Sequence, residues 1–198
     1  RNKNKIKYNW YANTLNPYNK EVRKDNPLLI GDTFRLIRNY PNRWLWGADG
    51  TGDITNPNNI RNIKNVLEKK TFKPDIITSD AGLDKKYSLL LMQKLEYGQA
   101  ISSIYLVPEG KNIVIKHFMP FIIDDVESYN CGGFFVSLMY LYALCFDKII
   151  FIKPNSSNKT GTEFYLVGKG RKQVPEKFLD YYLDNMKTFK VNEPLFYK

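Results

Sequence analysis

One histidine and two cysteines in 198 residues leave little with which to build a metal centre or a disulfide scaffold. Cys131 and Cys145 both fall in a single apolar run, so they read as buried packing thiols of a protein kept in a reducing compartment. Structural zinc takes clustered thiolate and imidazole ligands, and His117 has no such neighbours in sequence. Acidic side chains are also scarce. Twenty Asp and Glu face thirty Lys and Arg, a net charge of +10 that favours a polyanionic partner, nucleic acid first, and says little about fold. Long hydrophobic runs are missing too: the longest, 131–146, is short of the roughly 20 residues a membrane helix needs. With no signal-peptide pattern in its opening residues, the chain is expected to be soluble, intracellular and cytoplasmic, or in the host-cell cytoplasm or virion if it is viral, with no membrane partner.

What is abundant is apolar and aromatic. Apolar classes make up 43% of the chain, with 14 Tyr and 12 Phe. That is enough for one core, and no repeat, low-complexity segment or linker divides residues 1–198, which read as a single domain. Most rings belong in the core, while aromatics among surface Lys and Arg can stack on unpaired bases. A short strand is expected at 8–15, turn chemistry at Asn16-Pro17-Tyr18-Asn19, a polar surface loop to 26, and a loop or short helix to 40. Asn56-Pro57 opens a helix running to 70, with Ile60, Ile63, Val66 and Leu67 at helical spacing. Then come a buried strand at 75–78, a long helix over 86–106, a strand at 112–117 and a loop holding Asp124 and Asp125. A buried helix over 134–146, strands at 148–152 and 164–169, and an amphipathic helix from near Pro175 complete the order. The alternation predicts an α/β fold: a doubly wound, mostly parallel sheet with one antiparallel strand, 164–169, paired with its predecessor.

Three strand-like runs end or begin in a charged residue: Asp80 after 74–79, Lys116 closing 112–116, and Glu163 opening 163–167. Ligands of open α/β sheets sit at strand ends, so these three suggest one site built from separate segments. Each has a plainer reading as a turn residue or an exposed cap. His117, one residue past Lys116, should face the other side of its strand and pack. In Asp49-Gly50-Thr51-Gly52-Asp53-Ile54-Thr55 the glycines let backbone approach a ligand closely. No glutamate closes a twelve-residue calcium frame from either aspartate, so calcium is not expected. Lys148, Lys153 and the basic tail are either solvated charge or RNA contacts.

In order, the chain carries Asp49-Gly50-Thr51-Gly52-Asp53-Ile54-Thr55 with Pro57 and Asn59-Ile60, then Ser79-Asp80-Ala81-Gly82, then Val114-Ile115-Lys116-His117-Phe118. Phe151-Ile152-Lys153-Pro154, Ser156-Ser157 and Glu163-Phe164-Tyr165-Leu166-Val167-Gly168-Lys169-Gly170 follow. This series resembles the FtsJ-type ribose 2′-O-methyltransferases, with messenger RNA cap methyltransferases and their large-DNA-virus relatives nearest, over roughly 8–170. The resemblance implies a Rossmann-like class I methyltransferase fold, S-adenosyl-L-methionine as cofactor, no metal, and RNA, capped messenger RNA above all, as partner. It carries the last three members of the family's Lys-Asp-Lys-Glu tetrad onto Asp80, Lys116 and Glu163. It also implies that Asp53 accepts a hydrogen bond from the adenine amino group, that Ile54 packs on the ring, that Asp80 borders the cofactor, and that Leu15 and Asn16 lie near the adenosine ribose.

The family's first lysine and glycine-rich turn have no counterpart here. Either the chain is the later piece of a longer protein, beginning after the first strand, loop and helix, or it has lost the cofactor loop; the well-formed later motifs favour the former. The basic opening, 1–7, reads as the exit from that first helix. In the implied chemistry a ribose hydroxyl must lose its proton as it attacks a methyl group. Lysine can take that proton only if burial or a second cation lowers its pKa, which nominates Lys116 as base with Asp80 orienting it and Glu163 orienting the missing lysine or the ribose. The alternative is a catalytically inactive RNA-binding domain that keeps the fold.

Overall fold

Alternation of apolar and polar residues sets the central strands. In Asn112–Phe118 every second side chain, Ile113, Ile115 and His117, is fully buried, and Phe164, Leu166 and Gly168 do the same in Glu163–Arg171. The computed structural model describes residues 8–24, 29–83, 88–119, 131–158, 161–190 and 195. The chain opening 1–7 and the Asp124-Asp125 loop lie outside them, as do the side chains of Cys131 and Gly132.

Element order is α1 (Lys20–Arg23), α2 (Leu36–Asn39), a 3-10 turn Pro41–Arg43, α3 (Pro57–Lys69), β1 (Ile76–Ser79), α4 (Leu89–Leu106), β2 (Asn112–Phe118), α5 (Cys131–Cys145), β3 (Phe146–Ile152), β4 (Glu163–Arg171), α6 (Glu176–Asp184) and a 3-10 turn Asn185–Thr188. The four strands form one sheet in the order β1-β2-β4-β3. β1 and β2 are parallel, Ile77 opposite Ile113, whereas β4 runs against both neighbours, Lys116 opposite Tyr165 on one side and Ile150 opposite Val167 on the other.

This corrects the expected mostly parallel sheet. Only one strand is reversed, as read from the sequence, but it sits between β2 and β3, so two of the three pairings are antiparallel. A ten-residue gap, 153–162, lets β4 fold back along β3, and β4 then also takes the free edge of β2. The two-sided winding is not seen either among the described residues. His117 bonds both Glu96 on α4 and Tyr142 on α5, so these helices share one sheet face, and Lys116, Tyr165 and Glu163 on the opposite face are half-buried. The strand expected at 8–15 shrinks to one parallel bridge, Ala12 with Trp44, closed by Ala12 N donating to Arg43 O and Leu45 N donating to Ala12 O, both 2.8 Å. Residues 20–23, read as loop, form the short α1 because Asn19 caps it, its Oδ1 accepting from the backbone N–H of Glu21 and Val22.

The helices follow their start signals. Asn56 caps α3 by accepting from Asn58 N, Pro57 occupies the first turn, and Ile60, Ile63 and Leu67 face inward. α4 is buried nearly all round over Tyr97–Tyr105, capped by Ser88. Tyr97, Ile101, Ile104, Ile113, Ile115, Leu138, Leu141 and Leu166 make the centre of one core. Arg61 on α3 ties α6 to it through Asp184 (2.8 Å) and Asp180 (3.3 Å). Cys145 is fully buried, and that burial pushes its thiol up to about 11.

Candidate active site

β1 and β2 are parallel and β4 is reversed, so the ends of the first two and the start of the third lie along one sheet edge. Asp80 follows the last residue of β1, Lys116 lies near the end of β2, and Glu163 is the first residue of β4, opposite Phe118. Lys116 Nζ is 2.7 Å from Asp80 Oδ1. The lysine side chain is 13% exposed and the aspartate 72%, so the cation is drawn in under the sheet edge while its partner reaches into solvent. Gly82 makes room for it: a Cβ there would sit 3.3 Å from both Cε and Nζ of Lys116.

Glu163 joins this edge less directly. Its carboxylate accepts from Ser157 Oγ at 3.1 Å, and among the described residues it bonds neither Asp80 nor Lys116. Lys153 holds the loop behind it, Nζ donating to Gly161 O (2.8 Å) and to Glu163 O, which gives that lysine a structural role in place of free surface charge. Between the two carboxylates stands Tyr165, whose hydroxyl is 3.5 Å from Asp80 Oδ1. Partial burial, then the charges of Asp80 and Glu163, raise its phenol above the ordinary range, so it is a donor at neutral pH.

A second group of residues converges on the 49–55 loop. Gly52 has φ of +75° and lies so close to Thr14 that a Cβ would come within 1.8 Å of its carbonyl oxygen, a position only glycine fills. That approach brings Asn16 alongside: its N–H donates to Thr51 O (2.7 Å) and its Nδ2 to Gly50 O (2.9 Å). Asn16 therefore adjoins Gly50, Thr51 and Gly52, the residues just before Asp53. Asp53 Oδ1 accepts from Thr55 N and Thr55 Oγ1, both 2.8 Å, and among the described residues nothing donates to its Oδ2, which leaves an acceptor for an amine. Ile54 packs its side chain against the core. Asp49 is held below its usual value: partial burial works the other way, but donors from Thr51, Asn59 and Asn56 outweigh it.

Residues 3–171 match the FtsJ-like methyltransferase family. The chain belongs to that family. It is 31% identical over 178 residues to an uncharacterized protein of Acanthamoeba polyphaga mimivirus, covering 86% of this chain and 20% of that one. It is 29% identical to cap-specific mRNA (nucleoside-2′-O-)-methyltransferase 2 of Pongo abelii, covering 84% and 21%. Against a probable methyltransferase of African swine fever virus the identity is 26%, covering 83% and 38%. The chain thus spans a fifth to two-fifths of the length of these relatives.

FtsJ-family methyltransferases use S-adenosylmethionine. The Asp53 Oδ2, to which nothing among the described residues donates, fits an amino group such as that of the cofactor's adenine. Among the described residues no three His, Cys, Asp or Glu side chains cluster as a metal site, and no helix is long and apolar enough to cross a membrane.

Three residues given no role from sequence hold this FtsJ-like site together. Asn59 on α3 is fully buried and donates from Nδ2 to Thr51 Oγ1 and Asp53 O while its Oδ1 accepts from Asp49 N. Gln99 on α4 donates from Nε2 to Lys116 O (2.7 Å) and accepts from Ser79 Oγ (2.9 Å). One amide therefore bridges the strand that ends at Asp80 and the strand that carries Lys116. Glu96, one turn earlier, accepts from Phe118 N and bonds His117, which stacks on Phe164 as a packed core histidine. The signal for Asn59 and Gln99 in sequence was faint: a polar residue on a face otherwise apolar.

Proposed function

We propose that this chain forms part of an S-adenosylmethionine-dependent RNA ribose 2′-O-methyltransferase acting on capped messenger RNA. The observation that carries the reading is the Lys116–Asp80 pair at a sheet edge that Glu163 reaches on the reversed strand. The cap-specific assignment draws support from a relative whose name states that activity, at 29% identity.

Asp53, Ile54, Leu15 and Asn16 would hold the adenosine end of the cofactor, with Asp80 at the border. When bound, the cofactor supplies an electrophilic methyl carbon. Lys116 accepts the ribose 2′-hydroxyl proton at Nζ, and Asp80 fixes the direction of that nitrogen. An amine takes up a proton only in its neutral form, which desolvation beneath a bound strand favours. Glu163, steadied by Ser157, positions the ribose, and much of the rate comes from holding hydroxyl and base together.

The test is methyl transfer to capped, uncapped and already 2′-O-methylated RNA. Lys116→Ala should abolish transfer while cofactor binding stays near normal, and Asp53→Ala should weaken cofactor binding first. Near-normal turnover by Lys116→Ala with saturating RNA would remove the base. Equal transfer to capped and uncapped RNA would remove the cap. Cofactor-independent RNA binding with no transfer to any RNA would favour an inactive RNA-binding domain.

A further inference from the structure

The lobe spanning residues 29–46 carries exposed aromatic and aliphatic side chains that the site above does not use. Beneath it Trp44 stacks on Trp46, centroids 5.8 Å apart and planes 13° off parallel, and Trp10 meets Trp44 and Tyr40 edge-on at 6.4 and 5.7 Å. In the same lobe Phe34 is 83% exposed, Tyr40 51% and Leu36 49%. Apolar rings gathered at the surface mark a binding face.

Its charge points to the partner. The described residues of 20–46 carry six cations, Lys20, Arg23, Lys24, Arg35, Arg38 and Arg43, against two anions, Glu21 and Asp32. Asp32 is committed inward: burial disfavours its charge, but the Ile37 and Arg38 N–H groups and the Tyr18 hydroxyl outweigh that and hold it below its usual value. Among the described residues no carboxylate pairs with Arg35, Arg38 or Arg43. Arg38 lies over the Tyr18 ring and Arg43 over Trp10. Arg35 is held at φ 54°, in the left-handed region, by a hydrogen bond to Asp32 O.

We propose that this lobe is a stacking platform for single-stranded RNA, with bases against Phe34 and Tyr40 and phosphates against Arg35, Arg38 and Arg43. It deepens the proposed function and rests on it, giving nucleotides that flank the modified ribose a place to bind. The lobe is continuous with the 49–55 loop, since Trp46 O accepts the Gly52 N–H. A purely apolar protein partner would match Phe34 and Leu36 but leave three guanidinium groups without counter-charge.

All three tryptophans of the chain lie in or against this lobe, Trp44 and Trp46 within it and Trp10 packed on Trp44 and Tyr40, so tryptophan emission reports on it. A short uncapped single-stranded RNA added to the 198-residue chain should change that emission on binding. Phe34→Ala should weaken affinity about tenfold and Phe34→Tyr should restore it, because any aromatic face serves. Arg35→Asn, which tolerates the left-handed backbone, should reduce the slope of log affinity against log salt by about 0.7. Duplex RNA of equal length should bind less tightly and ignore Phe34→Ala. Unchanged emission at saturating RNA, or affinity indifferent to both Phe34→Ala and Arg35→Asn, would overturn the platform. If Phe34→Ala instead changed only self-association, the lobe would be a protein interface and the proposal lost. Lys116→Ala keeps the two ideas separable: transfer lost with the emission change retained supports both, and transfer retained with the emission change present removes only the proposed base.

Discussion

Lys116 sits at close quarters with the Asp80 carboxylate, Gly82 and the Phe118 ring. Gly82→Val puts a Cβ about 3.3 Å from Lys116 Cε and Nζ and two methyl groups beyond it, so turnover should fall by on the order of tenfold or more with little change in thermal unfolding. Steady-state kinetics beside a melting curve checks this; a melting curve that collapses in step with turnover would mean a folding defect instead. Asn59→Ala removes three buried hydrogen bonds from the 49–55 loop and should cost about 2–4 kcal/mol, with cofactor affinity lost in parallel. Urea unfolding and a cofactor titration of the same variant measure both. Asp80, Lys116 and Glu163 could be picked out from sequence because a charge at the end of an apolar run is visible in one dimension. Tyr165 was not picked out, since its hydroxyl meets Asp80 across 85 positions of chain, a pairing only the sheet register creates.

α4 is the element on which the two halves of the site depend. Gly98 lets the Ile54 backbone and the Thr55 methyl rest against it, and the next residue, Gln99, bridges Ser79 and Lys116. Gln99→Leu should strand the Lys116 carbonyl and the Ser79 hydroxyl, costing about 2–4 kcal/mol by denaturant unfolding and lowering kcat more than it raises KM. Gln99→Glu keeps the acceptor for Ser79 but buries a carboxylate against the Lys116 carbonyl, so at least as large a loss of stability is expected from it. Helix positions were readable because caps and spacing are local: α3 begins where Asn56-Pro57 places it, and α4 ends before Pro108 as read. The strand at 8–15 was misread because its apolar residues pack around Arg43, Trp44 and Phe72 instead of pairing along a ladder. Sheet order was unreadable for a related reason: pairing partners are chosen by three-dimensional closure, not by neighbouring residues.

Across the whole molecule, ion pairs knit the α3 and α6 side while the core carries most of the stability. Hydrogen bonds from Arg61 and then Lys187 pull Asp184 down to about 2 from 3.8. A carboxyl with a depressed folded pKa stabilises above its unfolded pKa, so this contribution is present above about pH 4 and disappears as pH falls toward 2. Asp184 is nearly half exposed, which screens the pair and limits it to about 1 kcal/mol or less. Asp184→Asn should therefore be slightly less stable than the parent at neutral pH, and the two urea midpoints should meet near pH 2. Leu166→Ala, at the fully buried centre of the sheet, should cost about 2–5 kcal/mol and dwarf that difference. Charge balance read from composition suggested a polyanion, and the arginine lobe gives that excess a location, something no count of residues can supply.

The position of β4 between β2 and β3 also governs how the chain can be made. β2 and β3 have no pairing with each other, so a ribosome that has released residues up to 162 has produced two strands that each wait for the same missing neighbour. Until Glu163–Arg171 arrives, both present bare N–H and C=O rows, the condition under which chains pair with one another instead of with themselves. Synthesis halted just short of 163 should yield a sticky intermediate, and release of nine more residues should convert it, late and in one step, into the closed sheet.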